Sequence, residues 1–199
     1  MAGKTFKSAV SAEKVIYYIS RPSLTSVESV SSGVKITWPK IAGASGYYVY
    51  RESTRIRTIS SGSTLTYTDT ASKTDGTKYT YKIYAFKNVD GTIYKSTVSA
   101  TKFTYFMSRP VISSATNSAA GAMTVTWGKN AKANGWQVKY ALGDEEKTVT
   151  ISSGSTVTRK ITGLKKGSSY KVYVRSFRTV SDKKYFSTWS AYKTAKITK

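Results

Sequence analysis

The chain contains no cysteine and no histidine. The first absence removes disulfides and thiolate chemistry, and the second removes the commonest general base and metal ligand. Together they exclude the usual Ser-His and Cys-His nucleophile pairs and make a zinc site untenable. Proline is scarce, with three residues among 199, and no long stretch of helix-formers interrupts the Thr-, Ser-, Val- and Tyr-rich text. That composition favours strands. No apolar run approaches the ~18–20 residues of a membrane span, so membrane insertion is not expected. No apolar leader follows Met1; if the protein is exported, its signal lies outside this chain. Acidic residues are few, ten against 32 Lys and Arg, for a net charge of +22. Charge of one sign on this scale suits an anionic environment such as a cell-wall polymer, an acidic glycan, nucleic acid or a membrane surface.

What is present is repetition. Residues 3–22 read GKTFKSAVSAEKVIYYISRP and residues 91–110 read GTIYKSTVSATKFTYFMSRP, while Tyr185–Lys199 is a looser third copy. A recurrence at this spacing marks a string of similar domains, each closed by the same strand. The expected division is residues 1–20 as an orphan strand equivalent to the last strand of a preceding unit, 21–107 as unit one and 108–199 as unit two. Plentiful aromatics (16 Tyr, 4 Trp, 6 Phe) supply each unit with a core.

The two units align strand for strand. After Gly33, Val34, Ile36 and Trp38 share one face at period two; after Gly121, Met123, Val125 and Trp127 do the same. Gly46-Tyr-Tyr-Val-Tyr-Arg51 answers Gly135-Trp-Gln-Val-Lys-Tyr140. Each unit then carries an ISSGST loop, where glycine is expected to supply a positive φ. The strongest strand follows, with Tyr79, Tyr81 and Ile83 inward in unit one and Tyr170, Val172 and Val174 inward in unit two. Asp90-Gly91 is a strong hairpin signal, replaced by Ser181-Asp182. Seven short strands with frequent turns and no helix predict a two-sheet sandwich.

The segment Leu164-Lys-Lys-Gly-Ser-Ser-Tyr170 resembles the tyrosine corner of fibronectin type III domains. Trp38, Trp127 and the opening Pro22 and Pro110 match that family too. In unit one Lys73 stands where unit two has Leu164, and a shift of the loop placing Ala71 in the slot would restore the pattern. The fuller text is similar to the type III repeats of Gram-positive, clostridia-like bacterial surface proteins. The resemblance implies an all-β chain of two tandem fibronectin type III (immunoglobulin-like) sandwiches preceded by an orphan strand, non-catalytic and extracellular or on the cell surface. The role it implies is a spacer or adhesion segment. A virion or appendage protein assembled through its first strand, and an accessory domain of a secreted polysaccharide-degrading enzyme, are the alternatives.

The chemistry-bearing residues are thin. Asp69, Asp75, Asp90 and Asp144-Glu145-Glu146 read as turn carboxylates rather than a paired acid and base, and no spaced-Asp loop suggests calcium. The asparagines Asn88, Asn117, Asn130 and Asn134 read as turn residues, which disfavours a Lys–Asn crosslink. No cofactor is expected. The remaining candidate is a surface where outward residues alternate basic and aromatic: Tyr48, Tyr50, Lys82 and Tyr84 in unit one, Lys139, Lys171, Tyr173 and Arg175 in unit two. Aromatic faces stack on sugars and cations pair with phosphate or carboxylate, so the expected partner is an anionic polysaccharide or cell-wall polymer. Nucleic acid is not expected to be bound specifically. The joint between the units lacks a Gly-Ser spacer, and residues 3–19 offer a sticky strand for self-association.

Overall fold

The computed structural model describes residues 15–71 and 73–199, all of them strand, turn or coil. Unit one carries β1 (Ser26–Val30), β2 (Gly33–Thr37), β3 (Gly46–Arg51), β4 (Thr54–Ile59), β5 (Thr66–Asp69), β6 (Lys78–Val89), β7 (Thr92–Lys95) and β8 (Lys102–Tyr105). Unit two repeats the series with β9 (Ile112–Ala119), β10 (Ala122–Trp127), β11 (Gly135–Leu142), β12 (Glu145–Ile151), β13 (Thr158–Ile161), β14 (Ser169–Val180), β15 (Lys183–Phe186) and β16 (Lys193–Lys196). In each unit a three-stranded antiparallel sheet (β1-β2-β5; β9-β10-β13) faces a larger one (β4-β3-β6-β7; β12-β11-β14-β15). That strand division is the one the resemblance implies, and the fold is all-β with two tandem sandwiches.

Alternation explains the layers. Along β6, Tyr81, Ile83 and Ala85 are fully buried while Lys82 and Tyr84 are partly exposed, as period two requires when one face meets a core and the other water. Trp38 lies in the middle of one core with its ring 5.4 Å from that of Tyr47, and Trp127 lies in the other, 5.7 Å from Trp136. The two cores are separate: one gathers residues between Ile19 and Phe106, the other residues between Ile112 and Ile197.

Three expectations need correction. Each unit has eight strands, because the final strand is split. The first piece pairs with the far half of the long strand and the second with its near half (β7 and β8 on β6; β15 and β16 on β14). The break is chemical. The hydroxyls of Ser96 and Ser99 accept the buried backbone N–H groups of Ala85 and Ile83 at 3.0 Å, and Ser187 and Ser190 do the same for Ser176 and Val174.

Next, Gly62 and Gly154 of the ISSGST loops do not have positive φ. A Cβ there would lie 2.0 Å from the Ala44 carbonyl oxygen or 1.8 Å from that of Ala133, so close backbone approach, not turn handedness, requires glycine. The hairpins do use left-handed pairs: φ is 48° and 84° at Asp90 and Gly91, and 46° and 62° at Ser181 and Asp182.

The orphan strand expected over residues 1–20 falls largely outside the described residues, of which 15–20 are coil. A strand needs a ladder partner, and the segment instead lays Tyr17 and Ile19 against unit one. The third correction concerns Asp69. It is the buried last residue of β5 rather than an exposed turn residue, and it caps the turn that follows by accepting from Ala71 N–H at 3.2 Å. Asn88 and Asn117 likewise sit in β6 and β9.

Candidate functional site: a cation and aromatic ladder

The outer face of the larger sheet in unit two is built from β11, β14 and the segment following β15. Cross-strand register sets Lys139 beside Tyr173 and Gln137 beside Arg175. From there the cations lie on rings. The Lys139 ammonium is 4.7 Å from the Tyr173 centroid and 5.4 Å from Trp189. The Arg175 guanidinium is 4.0 Å from Phe186 and 4.4 Å from Trp189. Lys171 covers Tyr192 at 5.1 Å, and Tyr192 packs on Tyr173 at 5.9 Å. Phe186, Trp189 and Tyr192 were not among the sequence candidates: Phe186 ends β15, and Trp189 and Tyr192 come onto the sheet face through the split that follows it.

The ladder is positioned from below. Arg175 Nε donates to Gln137 Oε1 at 2.8 Å, which fixes the guanidinium plane, and burial lowers the Arg175 pKa from its ordinary value. Lys139 also pairs with Glu146 at 2.9 Å. Among the described residues the ion pairs are this one and two on Asp69, so most of the positive charge stands without a carboxylate against it. At its inner end the ladder opens into a groove of about 520 Å³ between the units, lined by Val27, Glu28, Phe103, Arg175, Lys184 and Trp189 among others.

Unit one has the same face with a different emphasis. Tyr48 stacks on Phe86 at 4.6 Å, with Arg55 4.8 Å above it, and Tyr50 meets Tyr84 edge-on at 5.4 Å. Lys82 lies opposite Tyr50 in the register. The sequence candidates therefore fall into two groups: Tyr48, Tyr50, Lys82 and Tyr84 on one sandwich, Lys139, Lys171, Tyr173 and Arg175 on the other.

A second polar constellation lies inside unit one. Asp69 Oδ2 accepts from Arg51 at 2.8 Å and from the Tyr81 hydroxyl at 2.9 Å, and Lys73 Nζ is 3.0 Å away. The Lys73 and Asp69 side chains are essentially inaccessible. Burial alone raises a carboxyl, but hydrogen bonds from Lys73, Tyr81 and Arg51 outweigh it and hold Asp69 below its usual range. Burial and the Asp69 charge push the Tyr81 phenol far above its usual range. Lys73 itself fills the slot expected for Ala71, which is exposed, and the corner survives. Thr74 N–H donates to the Tyr79 hydroxyl at 3.0 Å, as Lys165 N–H does to Tyr170 at 3.1 Å. In unit two the matching positions are Tyr140, Ile161, Leu164 and Val172, all apolar or aromatic. Among the described residues no group of His, Cys, Asp and Glu is arranged to hold a metal ion. The cluster's single carboxylate is saturated by its own cations, so it is a structural device.

No family model matches this chain, and no curated protein matches it. Among solved structures it is similar to the FN1-FN3 domains of chicken CNTN1, at 18% identity over 89% of this chain and 67% of that one, with a TM-score of 0.43. It is also similar to a two-domain fibronectin type III segment of chicken tenascin, at 20% identity over 88% and 98%, also with a TM-score of 0.43. The fold assignment stands on the strand order and the two cores described above.

Proposed function

We propose that the chain is a non-catalytic, extracellular tandem module, a stiff spacer or adhesion segment of a bacterial surface protein, and that its unit-two ladder holds an anionic glycopolymer of the cell-wall type. The observation that carries the reading is the set Lys139, Lys171 and Arg175 laid on Tyr173, Phe186, Trp189 and Tyr192. A ring beneath a cation fixes the charge without neutralising it, and of the three Lys139 alone also meets a carboxylate, that of exposed Glu146, so less side-chain freedom is lost when a phosphate or carboxylate arrives. Exposed ring edges offer a flat apolar surface to sugar C–H groups, and the groove beside Arg175 extends the track toward unit one. Stiffness follows from the joint. Ser108 donates through both its N–H and its hydroxyl to Asp75, Met107 N–H donates to Ser29 Oγ at 3.2 Å, and Phe103 and Tyr105 pack on Tyr185.

The test measures binding to a poly(glycerol phosphate) polymer, a sulfated glycan and duplex DNA across salt. Affinity for the glycerol phosphate polymer should exceed that for DNA and fall steeply with salt. Arg175→Lys keeps the charge but loses the planar fork and its stacking. It and Trp189→Ala should each weaken polymer binding by about tenfold, the worth of ~1.4 kcal/mol. Equal weak retention of all three polyanions, untouched by either substitution, would reduce the face to generic charge attraction.

A further inference from the structure

The joint between the two units has a replica above unit one. At the joint, Tyr105 packs on Tyr185 with ring centroids 5.0 Å apart and an interplanar angle of 66°, and Arg178 lies 5.5 Å from the Tyr105 ring. Above unit one, Tyr17 packs on Tyr94 at 4.8 Å and 57°, and Lys87 lies 4.8 Å from the Tyr17 ring. Tyr17, Tyr94 and Lys87 are the repeat equivalents of Tyr105, Tyr185 and Arg178. The upper end of unit one is therefore folded as a receiving face, with a side chain of the incoming segment already seated on it.

The alternation of that segment says what is missing from its other side. Ile19 is buried in the core of unit one. Ile16 and Tyr18, between and beside these anchors, are 83% and 89% exposed. Their equivalents in the next copy are Thr104 and Phe106, buried in unit one, and in the last copy Ala195 and Ile197, buried in unit two. Positions that close a sandwich core in two copies thus stand bare in the first. Large apolar side chains projecting in this pattern are a partner surface rather than scattered exposure.

We propose that residues 15–19 are the closing edge of a preceding β-sandwich of the same build, one that lacks a last strand of its own, takes Ile16 and Tyr18 into its core and docks on Tyr94 and Lys87. A second copy of this chain does not fit. Its two sandwiches already hold their own closing segments, β8 and β16. The lower end of unit two also presents Lys166, Thr194 and Lys196 where the joint uses Asp75, Phe103 and Tyr105, so it offers no ring to Tyr94 and no carboxylate to Ser20, the equivalent of the Ser108 that donates to Asp75. Gly43, the equivalent of the joint residue Lys132, has nothing within 4 Å of a would-be Cβ, which leaves room for the incoming unit. This inference rests on the joint geometry and is independent of any glycan.

The test places a copy of residues 21–90 ahead of Gly3 in the full chain, so that the native text supplies the closing strand. The expected result is a third cooperative unfolding transition, with amide exchange at Ile16 and Tyr18 slowed by at least about a hundredfold. Ile16→Asp with Tyr18→Asp should abolish the third transition and leave the other two. In the unextended chain, Ile16→Ser with Tyr18→Ser should leave the unfolding of unit one unchanged, whereas Ile19→Ser should lower it. Three results each overturn the proposal: no third transition with exchange unchanged, destabilisation of unit one by the Ile16 and Tyr18 pair, or self-association of the unextended chain that Ile16→Asp abolishes.

Discussion

Removing Asp69 tests the buried cluster of unit one most severely. Asp69→Ala leaves the Lys73 ammonium, whose side chain is 1% exposed, without its carboxylate, and strands the Tyr81 hydroxyl that donated to it at 2.9 Å. Arg51 is 29% exposed and can turn to water, so the damage concentrates on Lys73 and Tyr81. Breaking a buried pair by deleting one partner costs about 3–5 kcal/mol. For a domain of this size each kcal/mol moves the midpoint by about 4–8 °C, so the unit-one transition should fall by at least about 12 °C while unit two keeps its own. The companion variant gives unit one apolar residues after the pattern of the other sandwich: Asp69→Ile, Lys73→Leu and Tyr81→Phe together. Replacing an entire buried ionic set by apolar residues of similar volume is neutral or stabilising by about 1–4 kcal/mol, so its midpoint should equal or exceed the parent's. Calorimetry with residue-resolved NMR separates the two transitions. A loss below about 1 kcal/mol for Asp69→Ala, or a triple variant as damaged as the single, would refute the account.

The same cluster makes unit one pH-sensitive at both extremes. The Asp69 pKa is lowered in the folded state, so its stabilisation is complete above the unfolded carboxylate value of about 4 and is lost as pH falls through the lower folded value; acid should unfold unit one before unit two, and the triple variant should lack that order. The Tyr81 pKa is raised, so its contribution is complete below about 10 and declines as pH rises further, which an alkaline melt would register in unit one. Ser187→Ala and Ser190→Ala each orphan a buried backbone N–H, on Ser176 and Val174, and should cost unit two about 1–3 kcal/mol in a urea melt; a cost under about 0.5 kcal/mol would be too little for that role. At Gly76 (φ +72°) a Cβ would lie 2.9 Å from Lys132 Cβ across the joint, whereas at Gly167 (φ +82°) it would meet nothing within 4 Å. Both alanine variants carry the left-handed strain, but only Gly76→Ala should loosen the joint, seen as divergent rotational correlation times of the two units by NMR relaxation.

Period-two alternation made the sandwich halves legible, because burial on one sheet face leaves a direct mark on sequence. The tryptophans and the corner tyrosines were legible for the same reason: their burial is dictated within a single strand. The charged cluster was not, since Arg51, Asp69, Lys73 and Tyr81 come from three strands and a turn, and each alone reads as ordinary surface text. Only the offset comparison with Tyr140, Ile161, Leu164 and Val172 exposes it. The ladder was half legible. Outward Lys139, Lys171, Tyr173 and Arg175 follow from β11 and β14, but the rings that hold the cations arrive through a strand break. That break is written as Ser-Thr-x-Ser at residues 96–99 and 187–190, and it becomes readable once the hydroxyls are seen to replace ladder bonds.

Adjacent modules of the same strand order run a standing risk of exchanging segments during folding. The charged corner of unit one would penalise that error. A β5 segment misplaced into unit two would set Asp69 among Leu164, Val172 and Tyr140 with no cation to meet it, and β13 misplaced into unit one would leave Lys73 facing Ile161. Either chimera carries an uncompensated buried charge, and only the correct partition of segments gives every ion its counterpart. Polarity at one end of one core would thereby act as an address label between two neighbours of the same strand order.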